Sequence, residues 1–234
     1  MSKKTWIIFG IIVVAFIGGM LVFSESNKIN LDGIDLGKII PASDQNGNTE
    51  EHVKGSADSK VVLVEYGDYQ CAGCASVYKR INSIAEDYKN ELAVVFRNYT
   101  IDSHQNALSA AAAAESANLQ GKFWEMHNLI YDNQTEWSNA GVTERNDLYL
   151  SYAKQLGLDE TKFTEGMKDT SVRKKIEFDK SVAKAAGLDS TPYFILNGEK
   201  IDYETWSDDD KLRELIDKVL KDNGIAPPTV EKSE

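Results

Sequence analysis

Two short apolar runs, Val61–Tyr66 and Leu92–Tyr99, interrupt the mixed pattern of the chain and are rich in β-branched residues. Continuous runs of this length are typical of strands that are covered on both faces of a sheet. Between them, Val77, Ile81 and Ile84 recur at the spacing of a helix that buries one face. The pattern therefore predicts a βαβ unit in which the two strands lie parallel.

The next stretch, about residues 103–187, carries helical patterns and no strand signal. Its motif ALSAAAAAESA predicts a packed helix, because alanine is the best helix former and allows a neighbour to approach closely. The motif GKFWEMHNLIYDNQ places Phe123, Trp124, His127 and Ile130 in one stripe, which favours a core face. Together these patterns predict a helical subdomain inserted into the sheet. Its further helices are predicted at about residues 144–156, 159–168 and 170–187.

The sheet is predicted to resume in the motif YFILNGEKI, which places Asn-Gly between two apolar segments. This is the strongest short signal for a hairpin, since both turn positions need a positive φ. Ser207 and the three aspartates after it predict the start of a final helix that runs to about Asp222. We assign Ser207 as its cap and the acids as partners of the helix dipole rather than metal ligands. Residues 224–234 are expected to form a loose tail.

The N-terminal segment Trp6–Phe23 is uncharged and largely apolar, and it follows Lys3 and Lys4. A helix of this length rises about 1.5 Å per residue and reaches across most of a hydrocarbon core of roughly 30 Å. We interpret residues 1–23 as an N-terminal transmembrane helix of the signal-anchor type, with a cleavable signal peptide as the alternative. The two lysines place the N-terminus in the cytoplasm, so either interpretation puts the rest of the chain on the extracytoplasmic face of the cell membrane.

Residues 24–50 are rich in Gly, Asn, Asp and Ser and are predicted to be a linker. The folded domain is predicted to span residues 51–223. A chain of 234 residues with 42% hydrophobic and 27% charged residues has an ordinary globular composition. Its net charge of -11 and its lack of a long basic run argue against nucleic acid as a partner.

Cys71 and Cys74 are the only two cysteines in the chain, in the stretch EYGDYQCAGCASVYKR. Secreted domains that use disulfides for stability carry several scattered cysteines. A bond between these two would close only a tiny loop, so it would add little stability. The pair is therefore predicted to perform chemistry.

Three other uses of the pair are less well supported. A closed zinc site needs four ligands, and His52, His104 and His127 lack the spacing of a zinc finger or ribbon. Covalent haem attachment fails because Ala75, rather than histidine, follows the second cysteine. A thiol protease would leave that second cysteine without a role.

The redox interpretation explains the position of both thiols. Cys71 follows a predicted strand and begins a predicted helix, where unpaired N–H groups and the helix dipole stabilise a thiolate. Cys74 lies one turn later on the same face and is less exposed. We therefore predict that Cys71 is the attacked sulfur and that Cys74 is the resolving thiol.

Glu65 is a carboxylate within a strand that otherwise appears buried. A charge at the end of a strand can simply reach solvent. Burial would instead raise its pKa and allow it to carry the proton that Cys74 loses or gains during exchange. We favour this second role because the preceding residues are all apolar.

Three stretches of the chain resemble the DsbA-like thiol:disulfide oxidoreductases of the thioredoxin superfamily, and they occur in the order of that family. They are HVKGSADSKVVLVEYGDYQCAGC, NLQGKFWEMHNLIYDNQ and AAGLDSTPYFILNG. The resemblance runs from about residue 50 to residue 222. It implies an α/β fold with a thioredoxin-like core of βαβ and ββα halves, and with the helical subdomain inserted between them.

The resemblance also implies roles for individual residues. Glu65 matches the buried acid, Cys71 the nucleophile and Cys74 the resolving thiol. Thr191 and Pro192 match the cis-proline loop, which lies beside the disulfide and offers backbone groups to an extended substrate segment.

The chain departs from the family pattern between its two cysteines. Ala72 stands where many relatives have proline, and Gly73 stands where the strongest oxidants have histidine. Without an imidazole there, stabilisation of the thiolate is expected to rest on the helix-terminal N–H groups alone.

The function that the resemblance implies is the introduction of disulfides into secreted or surface proteins. It requires no cofactor beyond the redox-active disulfide between Cys71 and Cys74. The expected partners are unfolded or extended proteins that contain cysteines, the membrane through residues 6–23, and a membrane re-oxidant resembling DsbB or a vitamin K epoxide reductase. Two alternatives remain: a reductase or isomerase that a transmembrane donor keeps reduced, and a non-catalytic metal-binding module.

Overall fold

The computed structural model describes residues 3–26, 29–31 and 33–229. The chain divides into two units, residues 1–32 and 33–234. Helix α1, Lys3–Ser26, belongs to the first unit. Among the described residues, no helix combines the length and apolar character needed to cross a membrane. The anchor predicted for residues 1–23 is therefore not confirmed, and its first two residues lie outside the described ranges.

The second unit contains a sheet and two groups of helices. Its strands are β1 (His52–Gly55), β2 (Val61–Gly67), β3 (Leu92–Asn98), β4 (Tyr193–Leu196) and β5 (Glu199–Ile201). Its helices are α2 (Ala72–Asp87), α3 (Ala107–Asn118), α4 (Phe123–Asp132), α5 (Gln134–Trp137), α6 (Val142–Gln155), α7 (Glu160–Gly166), α8 (Thr170–Ala185), α9 (Tyr203–Trp206) and α10 (Asp209–Asp222).

The strands form one sheet in the order β1-β3-β2-β4-β5. Strands β2 and β3 are parallel, as predicted, and every residue of both is buried. Strand β1 pairs antiparallel with β3, and β4 pairs antiparallel with β2. Strand β1 was not predicted, because its four residues carry no apolar alternation. The central position of β2 places the residues that follow its C-terminal end in the middle of the sheet edge.

Successive side chains of β2 contact different parts of the protein, because they point to opposite faces of the sheet. Val61 and Leu63 belong to an apolar cluster with α2 and α10. Glu65 follows them on the same face by this alternation. Tyr66 lies on the opposite face, where its hydroxyl accepts a hydrogen bond from Arg97 at 2.8 Å.

Helices α3 to α8 form the inserted helical subdomain between β3 and β4, as predicted. Helix α3 contains the alanine-rich motif and is almost entirely buried against its neighbours. The three later helices that we predicted correspond to α6, α7 and α8. The stripe on α4 is also confirmed: Phe123, His127 and Ile130 are buried, and Trp124 packs at the edge of the same cluster.

The hairpin between β4 and β5 turns at Asn197 and Gly198, whose φ angles are 47° and 88°. These positive values confirm the prediction from the Asn-Gly pair. The predicted cap of the final helix is wrong by one residue. Asp208 caps α10 by accepting a hydrogen bond from the Lys211 amide, whereas Ser207 closes the preceding helix α9.

Compact packing of the second unit begins at residue 33, whereas the sequence predicted a linker through residue 50. The buried Arg97 guanidinium donates hydrogen bonds to the carbonyl oxygens of Leu36 and Lys38. Asn46 lies in a short 3-10 turn and is fully buried. At the other end, residues 230–234 of the predicted tail lie outside the described residues.

Candidate active site

Cys71 occupies the N-cap of helix α2, four residues beyond the end of β2 at Gly67. Its φ and ψ of -74° and 122° are extended, so the helix begins with the next residue. The carbonyl oxygen of Cys71 accepts the first helical hydrogen bond, from the Ala75 amide at 3.1 Å. The structure holds Cys71 and Cys74 as free thiols, with Cys71 partly exposed and Cys74 buried.

The pKa of Cys71 falls from 9.0 to about 5. The largest cause is a hydrogen bond with the Cys74 thiol. Burial is the next in size and acts in the opposite direction, and hydrogen bonds from the Thr191 side chain and from the amides of Cys74 and Gly73 lower the pKa further. The expectation that helix-terminal N–H groups act alone is therefore wrong, because two side chains also stabilise this thiolate.

Cys74 has the opposite character. Its side chain is fully buried, and burial raises its pKa well above 9.0, with further contributions from its hydrogen bond to Cys71 and from the charge of Glu65. The backbone amide of Asp68 donates to its Sγ atom at 3.5 Å. At neutral pH the pair therefore consists of one partly exposed thiolate and one buried thiol.

The loop before β4 brings Thr191 and Pro192 to the thiols. Their peptide bond is cis. The Sγ atom of Cys71 lies 3.3 Å from the Thr191 carbonyl oxygen, to which it donates a hydrogen bond when it is protonated. A Cβ atom added to Gly73 would lie 3.1 Å from the Cδ atom of Pro192, so glycine allows the loop to approach the helix this closely.

Glu65 is buried on β2, where it pairs with Phe96 on one side and Phe194 on the other. Burial, together with the charge of Cys71, raises the pKa of its carboxyl to about 8. One of its oxygens, Oε1, has no hydrogen-bond partner among the described residues. An acid with this pKa can both take up and release a proton near neutral pH.

Asp68 was missed by sequence reasoning, although it stands between the predicted strand and the cysteines. Its buried carboxylate accepts hydrogen bonds from the amides of Gln70 and Ile101, each at 2.7 Å. It also contacts His104 Nδ1 at 2.9 Å. These contacts fix the position of Asp68, whose own backbone amide donates to the Sγ atom of Cys74. The sequence signal that could have found this residue is an aspartate at the end of a buried strand, where short polar side chains cap turns.

Gln134, in helix α5 of the helical subdomain, was also missed. Its side-chain amide donates to the carbonyl oxygens of Tyr69 at 2.7 Å and Cys71 at 3.0 Å. It thereby ties the helical subdomain to the loop in front of helix α2. No local pattern could identify it, because the contact joins distant parts of the chain.

Within the described residues, the three histidines contact Tyr69, Glu115 and Asp68 rather than a thiol. His127 is buried among aromatic rings, where it contacts the Tyr69 hydroxyl at 3.1 Å, and burial lowers its pKa well below 6.5. His52 stacks on Phe123 and contacts Glu115 at 2.8 Å. In the described ranges, no group of three or more His, Cys, Asp or Glu side chains is arranged to hold a metal ion.

Comparison with known proteins places this geometry in a family. A family model described as thioredoxin matches residues 47–218. Among curated proteins, the Na(+)/H(+) antiporter NhaA 1 of Mycolicibacterium vanbaalenii is 31% identical over 192 residues, which cover 80% of this chain and 29% of that protein. The NhaA 1 protein of Salinispora arenicola is 34% identical and covers 64% of this chain and 22% of its own. The chain thus spans less than a third of the length of these relatives.

Solved structures share the fold. BdbD from Bacillus subtilis has a TM-score of 0.64 and 23% identity, with 79% of this chain and 98% of that chain covered. The thiol-disulfide exchange protein α-DsbA2 from Wolbachia pipientis has a TM-score of 0.63 and 23% identity, with 75% and 90% covered. At these identities the likeness concerns the fold. The family model and this shared architecture together establish that the chain belongs to the thioredoxin family and has the fold of its DsbA-like members.

Proposed function

We propose that this chain is an extracytoplasmic thiol:disulfide oxidoreductase that introduces disulfide bonds into secreted or surface proteins through Cys71 and Cys74. The observation that carries the proposal is the difference between the two thiols. One is partly exposed with a pKa of about 5, and the other is buried with a strongly raised pKa. A low-pKa thiol is a good leaving group and a thiolate at neutral pH, as disulfide exchange requires.

The reaction begins with the disulfide form of the pair. A substrate thiolate attacks the Sγ atom of Cys71; the Cys71–Cys74 bond breaks, and its electron pair leaves on the Cys74 sulfur. That sulfur takes a proton from Glu65. A second substrate thiolate then attacks the substrate sulfur of the mixed disulfide and releases the Cys71 thiolate. The substrate has lost two electrons, which now reside in the reduced pair.

The Thr191–Pro192 loop supports this function because it lies beside the attacked sulfur. A substrate segment that pairs with the exposed backbone of this loop would present its own cysteine to Cys71, in the manner of strand addition. Cys71 is partly exposed, so its sulfur can be reached by such a segment.

Re-oxidation of the pair requires an electron acceptor. We propose a membrane protein that resembles DsbB or a vitamin K epoxide reductase, reached because residues 6–23 anchor the chain in the cell membrane. The uncharged apolar sequence of those residues and the two lysines before them support this location. Carbonate washing of membranes tests it: the anchored chain stays in the pellet, and release into the supernatant would contradict the anchor.

The direction of electron flow is tested by the redox equilibrium of the full chain against a glutathione series, followed by thiol alkylation. A potential near or above about -200 mV marks a donor of disulfides. A value closer to about -270 mV would instead make the chain a reductant that needs a transmembrane donor.

Two variants test the roles of the thiols. Cys71→Ser is expected to abolish oxidation of a reduced peptide. Cys74→Ala is expected to accumulate mixed disulfides with substrate proteins, because no resolving thiol remains to release them by attack on Cys71. Full dithiol oxidase activity in either variant would exclude the proposed mechanism.

A further inference from the structure

Two buried oxygen atoms near the cysteines have no hydrogen-bond partner within the described part of the chain. One is Oε1 of Glu65, and the other is the hydroxyl of Tyr131. Both side chains are at most 3% exposed. Unpaired buried polar groups are rare in native proteins, because each costs the free energy of its lost hydration. These two atoms therefore call for an explanation.

Tyr131 belongs to helix α4 of the helical subdomain, but its hydroxyl lies against the end of strand β2. A Cβ atom built on Gly67 would lie only 3.2 Å from this hydroxyl. Glu65 precedes Gly67 by two residues, so both lie on the same face of the strand. The Tyr131 hydroxyl therefore enters the space beside that face, to which Glu65 also turns.

The ring of Tyr131 is held in this position by its neighbours. It packs on Tyr69 with 4.9 Å between ring centroids and stacks on Tyr78 at 5.1 Å. Cys74 belongs to the same buried cluster. Because packed rings in a dense core have little freedom to rotate away, the hydroxyl keeps its position beside the end of β2.

The charges around Tyr131 keep it protonated. Burial raises its pKa well above 10.0, and the charges of Cys74 and Glu65 raise it further. It is therefore a hydrogen-bond donor at every pH at which the thiols exchange. The other titratable groups that face it are Tyr78 from α2, Asp68 and Tyr69 from the loop before α2, and His127 from α4.

We propose that Tyr131 is a positioning residue for proton transfer between Glu65 and Cys74. A proton moves between these two groups, so the negative charge lies either on the Glu65 carboxylate or on the Cys74 sulfur. The Tyr131 hydroxyl donates a hydrogen bond to whichever of the two is charged. This inference rests on the proposed function and adds a residue to it. Phenylalanine at this position would fill the same space but would leave a buried negative charge without its donor.

The resolving step is written as follows. Cys71 first attacks a disulfide and forms a mixed disulfide, with release of one thiolate. The Cys74 thiol then gives its proton to the Glu65 carboxylate, and its sulfur attacks the Sγ atom of Cys71. The Cys71–Cys74 bond forms, the mixed disulfide breaks, and a second thiolate leaves with the electron pair. Tyr131 changes only the stability of the negative charge before and after the proton moves.

The test is the reaction of the reduced full chain with a chromogenic aromatic disulfide, which releases one coloured thiolate in each step. The first release reports attack by Cys71, and the second reports attack by Cys74. In Tyr131→Phe we expect the first step to be unchanged. The second step should slow by about tenfold near neutral pH, as for loss of one hydrogen bond to a charge. Its pH midpoint should rise by about one unit, because the ionised form has lost a donor.

Tyr152→Phe is the matched control. Tyr152 lies on helix α6, and its buried hydroxyl is likewise without a hydrogen-bond partner among the described residues. Both steps of this variant should match the wild type. A second measurement combines Tyr131→Phe with Glu65→Gln. In the double variant the hydroxyl has no carboxylate to donate to. The slowing of the second step in the double variant should therefore be smaller than the sum of the slowing in the two single variants, compared as free energies.

The outcomes separate this inference from the proposed function. An unchanged second step and pH midpoint in Tyr131→Phe would overturn the role of the hydroxyl while the exchange reaction stands. Equal slowing of both steps, or the same change in Tyr152→Phe, would mean a general structural effect and would also overturn it. A wild-type chain that releases no second thiolate would refute the proposed function itself.

Discussion

The Sγ atom of Cys71 lies 3.3 Å from the carbonyl oxygen of Thr191, although the two residues are separated by 120 positions in the chain. The antiparallel pairing of β4 with β2 creates this contact, since it places the start of β4 beside the end of β2. The partly exposed sulfur is thereby set next to backbone groups of a loop.

The low pKa of Cys71 should depend on its neighbour. The hydrogen bond with Cys74 is the largest cause of the decrease to about 5, so Cys74→Ala should raise this pKa. Cys74→Ser keeps a hydroxyl donor and should raise it less. The measurement is the pH dependence of Cys71 alkylation in the reduced chain. Identical midpoints for Cys74→Ala and the wild type would show that the Cys74 thiol does not stabilise the Cys71 thiolate.

The burial of Glu65 should make stability depend on pH. Its folded pKa of about 8 exceeds the ordinary value of 4.5, so the protonated carboxyl stabilises the fold fully below about pH 4.5. That contribution is lost as the pH rises through 8, with a slope of up to about 1.4 kcal/mol per pH unit. Glu65→Gln should remove this slope from the free energy of unfolding of the reduced chain.

Glu214→Gln provides the matched control for that measurement, because Glu214 is an exposed carboxylate on α10. Its stability should follow the wild type between pH 4 and pH 9, a range of about five units that covers both values for Glu65. If Glu65→Gln and Glu214→Gln show the same pH dependence, the carboxyl of Glu65 does not titrate with a raised pKa.

Lys175 should be important for stability because it is a buried cation between two buried carboxylates. Its buried ammonium contacts Asp179 at 2.7 Å and Glu51 at 3.4 Å, and all three side chains are fully buried. Lys175→Met leaves the Asp179 carboxylate without its cation and leaves Glu51 only its contact with Arg97, which should cost about 3–5 kcal/mol of the free energy of unfolding. Lys174→Met changes the neighbouring exposed lysine and should cost less than about 1 kcal/mol. Urea unfolding compares the two, and equal losses would contradict the network.

The size of the side chain that position 73 tolerates should be limited by the Thr191–Pro192 loop opposite it. A Cβ atom at Gly73 would lie 3.1 Å from Pro192 Cδ and 3.6 Å from Cys71 Sγ. Gly73→Ala should therefore have a small effect, because the proline ring can yield by a few tenths of an ångström. Gly73→Val adds two methyl groups beyond that Cβ atom and should slow peptide oxidation by about tenfold or more through misplacement of the loop. Oxidation at the wild-type rate in Gly73→Val would show that the approach is not tight in solution.

Local patterns predicted much of the architecture. The apolar runs of β2 and β3, the helix between them and the turn at Asn197 and Gly198 were found because each depends on residues that are neighbours in the chain. The position of Cys71 at a helix start followed from the same local order. Strand β1 escaped because its pairing with β3, rather than any pattern of its own, makes it a strand. The cap at Asp208 escaped because two adjacent polar residues were equally suitable until α9 placed Ser207 at its own end.

The sequence alone determined where most of the strands and helices lie and which thiol begins a helix, because periodicity and turn chemistry act over a few residues. Only the tertiary structure decided how far each group is from water and from other charges. The carboxyl of Glu65 acquires its raised pKa from burial between two phenylalanines, and Lys175 becomes an internal cation because Glu51 and Asp179 surround it. In the sequence, Tyr131 is indistinguishable from the other large side chains on the buried face of a helix. Its hydroxyl comes to lie on the same side of the sheet as Glu65 only when the helical subdomain packs against the end of the sheet.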